Sequence, residues 1–133
     1  MVRIEGLERL TNSISNLPHL VEDEVEDALE QATSLLEDVA SEYPLPPPNS
    51  SYRRTGTLGR RWNHTVEKRG SEIRGIVDNP TKYGPYVMGP ADQAEVHKGR
   101  WLTTDEILIN SADQLNDIFQ GAADKITNKL AGD

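Results

Sequence analysis

Residues 20–51 carry nine carboxylates, Glu22, Asp23, Glu24, Glu26, Asp27, Glu30, Glu37, Asp38 and Glu42, and no basic side chain. The same stretch holds an apolar stripe. Val21, Val25, Ala28, Ala32, Leu35 and Val39 advance in alternating steps of four and three, and Leu29 and Leu36 widen the stripe. That period predicts a long amphipathic α-helix with one face in a core or a coiled-coil-like seam. Glu22, Asp23 and Glu24 fall in the first turn predicted after Pro18, where negative charge complements the helix dipole. Glu22/Glu26, Asp23/Asp27 and Glu26/Glu30 are like-charge pairs four residues apart. Each costs an isolated helix roughly 0.2–0.5 kcal/mol, so packing must offset the repulsion.

Material for that packing is scarce. Leu, Ile, Val and Phe number 30 of 133 residues, about 23%, just above the composition of chains that stay disordered. One domain spanning residues 1–133 is expected, with a thin core. Elongated helices, a small sheet and burial against partner subunits suit it better than a self-sufficient enzyme domain.

The formal charge of −8 is unevenly distributed. Residues 1–19 are neutral, 20–51 carry −9, 52–100 carry +5 and 101–133 carry −4. Such asymmetry fits either contact with a charged partner or an acidic helix lying beside a compensating basic sheet.

Within the N-terminal region, 1–42, Val2 to Glu5 are expected as a short edge strand, and Leu7, Leu10, Ile14 and Leu17 suit a short helix that Pro18 interrupts. Residues 43–57 read as a proline-rich loop, because Pro44-Leu45-Pro46-Pro47-Pro48 fits neither helix nor central strand. From Leu58 to Val77 the period moves toward two, which predicts an antiparallel hairpin turning near Gly70. Tyr86-Val87-Met88 is expected as a third short strand, completing a sheet region at 58–90. Residues 91–133 form a loop and then two helices or one bent one. Capping-box spacings occur at Thr103/Glu106 and Ser111/Gln114, and Leu108, Ala112, Leu115, Phe119, Ala122 and Ile126 form a second stripe. The expected class is α+β: a long N-terminal amphipathic helix and a C-terminal helix packed on a small antiparallel sheet.

Catalytic and metal chemistry find little support. There is no cysteine, and His19, His64 and His97 have no second ligand at a metal-binding spacing. The glycines follow no phosphate-cradling order. The first residues, MVRIEGLERL, lack a signal peptide's apolar stretch, and no run reaches the length of a membrane span, so a soluble protein made in a cytoplasm is expected. No enzyme activity, cofactor or metal is predicted. Arg53, Arg54, Arg60 and Arg61, with Tyr52 and Trp62 nearby, are the one nucleic-acid-like feature, as charge for phosphate and rings for base stacking. The net negative charge opposes that use.

One combination is more specific. It runs Tyr52-Arg53-Arg54-Thr55-Gly56-Thr57-Leu58-Gly59-Arg60-Arg61-Trp62, then Tyr83-Gly84-Pro85-Tyr86-Val87-Met88-Gly89, then Gln93-Ala94, His97 and Gly99-Arg100-Trp101-Leu102-Thr103. In order and spacing it resembles the tail-completion, or head–tail joining, proteins of tailed phages and prophages, sometimes called minor tail proteins. That family shows a long N-terminal helix, a proline-containing loop, a TG-x-L element opening a strand, a Y-x-x-Y-V-x-G strand and a C-terminal helix. Met88 stands where many members carry Glu. The resemblance implies a structural virion protein, present in the host cytoplasm during assembly. It implies a homo-oligomeric ring, hexameric, that joins the head connector or adaptor to the tail tube and lets DNA pass without specific binding. The candidate interface residues are Arg53, Arg54, Arg60, Arg61, Trp62, Tyr83, Tyr86 and Trp101, opposed to Glu22, Glu26 and Glu30. The alternative is a nucleic-acid-binding accessory protein acting through the basic segment 52–74.

Overall fold

The computed structural model describes residues 2–3, 21–42, 44, 57–70 and 72–131. The helix expected around Leu7–Leu17, most of the proline-rich loop and the Arg53-Arg54 pair lie outside the described residues. The chain is α+β. Strand β1 (Val2–Arg3) and helix α1 (Glu22–Ser41) precede a short helix α2 (Thr57–Arg60), and strands β2 (Asn63–Arg69) and β3 (Glu72–Asn79) follow. Helix α3 (Gly84–Met88), a 3-10 turn at Glu95–His97, helix α4 (Thr104–Asn110) and helix α5 (Ala112–Leu130) complete the order.

The sheet is antiparallel in the order β1-β3-β2. Arg69 pairs with Glu72, so β2 and β3 join through two residues, and Gly70 takes the left-handed conformation (φ 60°) that such a turn requires. Strand β3 alternates strictly. Ile73, Gly75, Val77 and Asn79 are buried on one face, while Glu72, Arg74, Ile76 and Asp78 are half-buried on the other. On that second face the register sets Glu67 opposite Arg74 and Arg69 opposite Glu72, and the ion pairs run along the strands, Arg69 to Glu67 at 3.9 Å and Arg74 to Glu72 at 3.0 Å.

Helix α1 covers the first face. Leu29, Ala32, Thr33 and Leu36 are fully buried, and the helix packs on β2, β3, α2, α4 and α5. It lies tightly against the sheet at Gly75, where an added Cβ would lie 2.8 Å from the Thr33 methyl and 3.4 Å from Leu29. Thr33 cannot swing away freely, because its hydroxyl donates to the Leu29 carbonyl at 2.7 Å. The main core runs from Val2 through Leu36, Leu58, Trp62 and Val77 to Met88, Ile107 and Leu115. A second cluster, Val25, Leu29 and Ile73, is edged by Val66 from β2 and by Phe119 and Ile126 from α5.

Three local expectations are corrected. The stretch opening at Leu58 is not strand: Thr57–Arg60 is a helical turn, and β2 begins at Asn63. The turn brings Leu58 and Trp62, four residues apart, into one core, which an extended chain from 58 would not do at that spacing with Arg60 and Arg61 outside. Tyr86-Val87-Met88 belongs to helix α3, with Pro85 in its first turn, where the missing N–H costs nothing. Strand β1 takes the edge of β3 as the third strand. The Thr103/Glu106 capping box forms in full, but Ser111 makes no side-chain cap bond. Its backbone instead continues the helical ladder, accepting from Leu115 N at 2.9 Å and donating to Ile107 O at 3.1 Å, so α4 and α5 meet at a bend that leaves no fresh helix start to cap.

The fit at Gly75 is directly testable. Gly75→Ala should destabilise the chain by about 1–3 kcal/mol, the ordinary cost of overpacking. Adding Thr33→Ser, which removes the opposing methyl, should recover part of the loss in urea unfolding; strictly additive losses would contradict the contact.

Candidate functional site

A mixed charged seam joins α1 to its neighbours. Lys68 on β2 donates to Glu22, and Lys129 on α5 reaches Glu24 at 3.0 Å. His64, also on β2, touches two carboxylates of α1. Its Nδ1 meets Glu37, and its Nε2 meets Glu30 at 2.6 Å. The hydrogen bond to Glu37, followed by that to Glu30, raises the His64 pKa above 6.5 against the opposing effect of burial. Lys68 is likewise raised, by its bond to Glu22 and by the charges of Glu22, Glu26 and Asp23. Part of the acidic helix is therefore compensated within the chain. Of the predicted interface acids, Glu22 and Glu30 already hold partners, and Glu26 stands in the field of Lys68.

The predicted basic and aromatic residues separate into different environments. Arg60 and Arg61 are exposed and make no ion pair among the described residues. Trp62 is a core residue, 4% exposed, and its buried indole N–H has no hydrogen-bond acceptor among the described residues. In this fold its ring lies in the core and is not offered to a base or to a partner. Trp101 is half-buried against the main core, with the His97 ring edge-on to it at 6.3 Å.

Tyr83 and Tyr86 are exposed, and they open a distinct cap. The exposed large hydrophobics among the described residues are Tyr83, Tyr86, Val96, Leu102 and Ile109, and the first four fall within residues 83–102. Ordered hydrogen bonds hold this segment. The Gln93 amide donates to the Val87 carbonyl at 2.8 Å and the Trp101 carbonyl at 3.0 Å, while Ala94 N donates to Tyr86 O at 2.7 Å. Lys82, Asp92, Glu95, Lys98 and Arg100 are exposed in and beside this segment, with Lys98 held by Glu95. Below it, buried Asn79 donates to the Leu58 carbonyl at 2.8 Å and accepts from the Thr81 N–H and hydroxyl, fixing the path from β3 toward α3.

A separate open groove of about 590 Å³ runs between α1 and α5. Leu35 and Ile118 line it together with Glu30, Asp38, Asp117, Gln31, Ser34 and Gln114, so its walls are acidic. Asp38 and Asp117 are exposed and make no ion pair among the described residues. Among the described residues no cluster of His, Asp and Glu is arranged to hold a metal ion, and no helix is long and apolar enough to cross a membrane.

Sequence reasoning weighed His64 only as a metal ligand, took Gln93 only as part of a motif, and passed over Asn79. The partners of His64 lie 27 and 34 residues away, so spacing carried no sign of them. Asn79-Pro80 is an ordinary turn signal, and it concealed a buried polar hub.

Gln93→Leu keeps the side chain's size and removes both donated bonds. It should speed amide hydrogen exchange across residues 83–102 while leaving the β2–β3 hairpin unchanged; equal protection in the cap would show that Gln93 does not hold it.

No family model, curated protein or solved structure matches the chain.

Proposed function

We propose that this chain is a structural, non-enzymatic protein of a tailed-phage or prophage particle, one subunit of a ring at the neck or upper tail that joins the head connector to the tail tube. The motif resemblance in 52–62, 83–89 and 93–103 supplies the family. The observation that carries the reading is the presence, on one small fold, of an ordered apolar cap and a separate acidic groove, both open to solvent. Two different patches on one subunit are what a head-to-tail contact uses, and such contacts close into rings when the rotation allows.

The charge layout narrows the residues involved. Glu22, Glu24, Glu30 and Glu37 are engaged inside the chain, so Asp38 and Asp117 of the groove are the carboxylates more readily offered to a neighbour. Arg60 and Arg61 are the exposed bases to oppose them. The nucleic-acid alternative draws less support, because Trp62 is buried and Arg69 and Arg74 lie opposite acids across the sheet.

Deleting the gene from its phage or prophage should leave heads and tails unjoined in electron micrographs; normal joined particles would overturn the proposal. In complementation, Arg60→Glu with Arg61→Glu should reduce joined particles, as should Asp38→Lys with Asp117→Lys, and co-expression of both altered chains should restore part of the yield. The purified chain should give no DNA mobility shift at low salt. A shift that weakens steeply with added salt would favour the nucleic-acid alternative.

A further inference from the structure

The position of His64 has a chemical consequence that does not depend on the proposed function. A neutral imidazole carries one N–H and one lone pair, so it can donate to only one carboxylate; both ring nitrogens donate only in the protonated form. Here Nδ1 faces Glu37 and Nε2 faces Glu30, seven residues apart on two turns of α1. Both contacts are therefore favourable at once only for an imidazolium.

We propose that His64 is a proton-operated clamp between β2 and α1: protonated, it ties the strand to two turns of the helix, and on losing its proton it releases one arm and loosens the seam.

The released arm is Glu30. The Glu30 side chain is 58% exposed and Glu37 28%, so Glu30 can turn into water at lower cost when a lone pair replaces its donor. The other groups around His64 do not substitute for the proton. On β3 its ladder partner is Val77, flanked on that face by uncharged Gly75 and Asn79, while Arg74 and Asp78 project from the opposite face. Lys68 shares the His64 face of β2 but is engaged with Glu22, near Glu26 and Asp23. Because Glu30 also lines the α1–α5 groove, its release adds an uncompensated carboxylate there.

The sign follows from the shift. The folded-state pKa is raised above 6.5, so the clamp's contribution is fully present below the unfolded value and is lost as pH rises through the folded-state midpoint. Among the described residues strand β2 lies at the edge of the sheet, bonded to β3 alone, and it is the element freed when the seam loosens.

Imidazole NMR titration of the ¹⁵N-histidine-labelled chain tests this, with His64 assigned by the signal lost in His64→Gln. Below its midpoint both His64 nitrogens should show the protonated signature, and the midpoint should lie above 6.5. Glu37→Gln should lower it most and Glu30→Gln less. Amide exchange in β2, compared with His64→Gln at each pH, should rise severalfold as the wild-type chain passes its midpoint. A midpoint at or below 6.5, one that neither glutamine variant moves, or the same exchange profile in His64→Gln would overturn the clamp. Should His64→Gln not fold, Glu30→Gln, altered at an exposed position, gives the exchange comparison instead.

Discussion

The packing of α1 against the β2–β3 hairpin is the contact on which the other elements depend. The chain has few large apolar residues, and the buried face of this one helix, from Val25 to Ala40, contributes to both hydrophobic clusters. Leu29 and Thr33 close on Gly75, Ala32, Leu36 and Ala40 join the core that holds Leu58, Trp62 and Met88, and α5 lies along another side. Small residues allow the close approach: alanines on the helix and a glycine on the central strand permit contact where larger side chains would hold the layers apart. The sheet's second face has only half-buried side chains from β3, and the ion pairs Arg69–Glu67 and Arg74–Glu72 occupy it. A thin core therefore coexists with a definite fold because one helix serves several neighbours.

The same helix brings the charge problem. Nine carboxylates without a base in 20–51 look like a surface intended for a partner, yet the hairpin and the last helix return two cations, Lys68 and Lys129, and the His64 imidazole to it. These contacts are partly exposed, and each is worth little as a stability term. Their greater effect is on register and surface character, because they decide which carboxylates stay open. A neighbour meeting this protein encounters the groove acids Asp38 and Asp117, the cap around Tyr86 and the bases at Arg60 and Arg61, rather than a uniformly acidic rod.

What could be read in advance divides along physical lines. The α1 stripe, the Gly70 turn and the Thr103 capping box are set by neighbours within a few residues, and each formed as its local pattern requires. Where a short apolar run is equally compatible with helix and strand, as at Leu58 and at Tyr86-Val87-Met88, tertiary packing decided in favour of helix. Ser111 shows that a cap motif needs an unsatisfied helix start, which a bend between two helices does not provide. On the candidate surfaces, exposure of Tyr83 and Tyr86 and of Arg60 and Arg61 agrees with their pattern, whereas Trp62 is buried. The histidine held by two glutamates was illegible because strand and helix meet only after the intervening loop returns the chain. The Arg53-Arg54 pair lies outside the described residues.

Part of the acidic helix's charge is compensated within its own chain. A double-mutant cycle on the isolated protein tests it most directly, reversing Glu22→Lys and Lys68→Glu singly and together and following unfolding in urea. Each reversal alone places like charges together, and the cycle subtracts the separate effect of Glu22 on the helix dipole. The double reversal should be more stable than the sum of the single losses allows, with the coupling diminished by added salt. Strictly additive losses, independent of salt, would contradict it and leave the acidic helix without its partner strand.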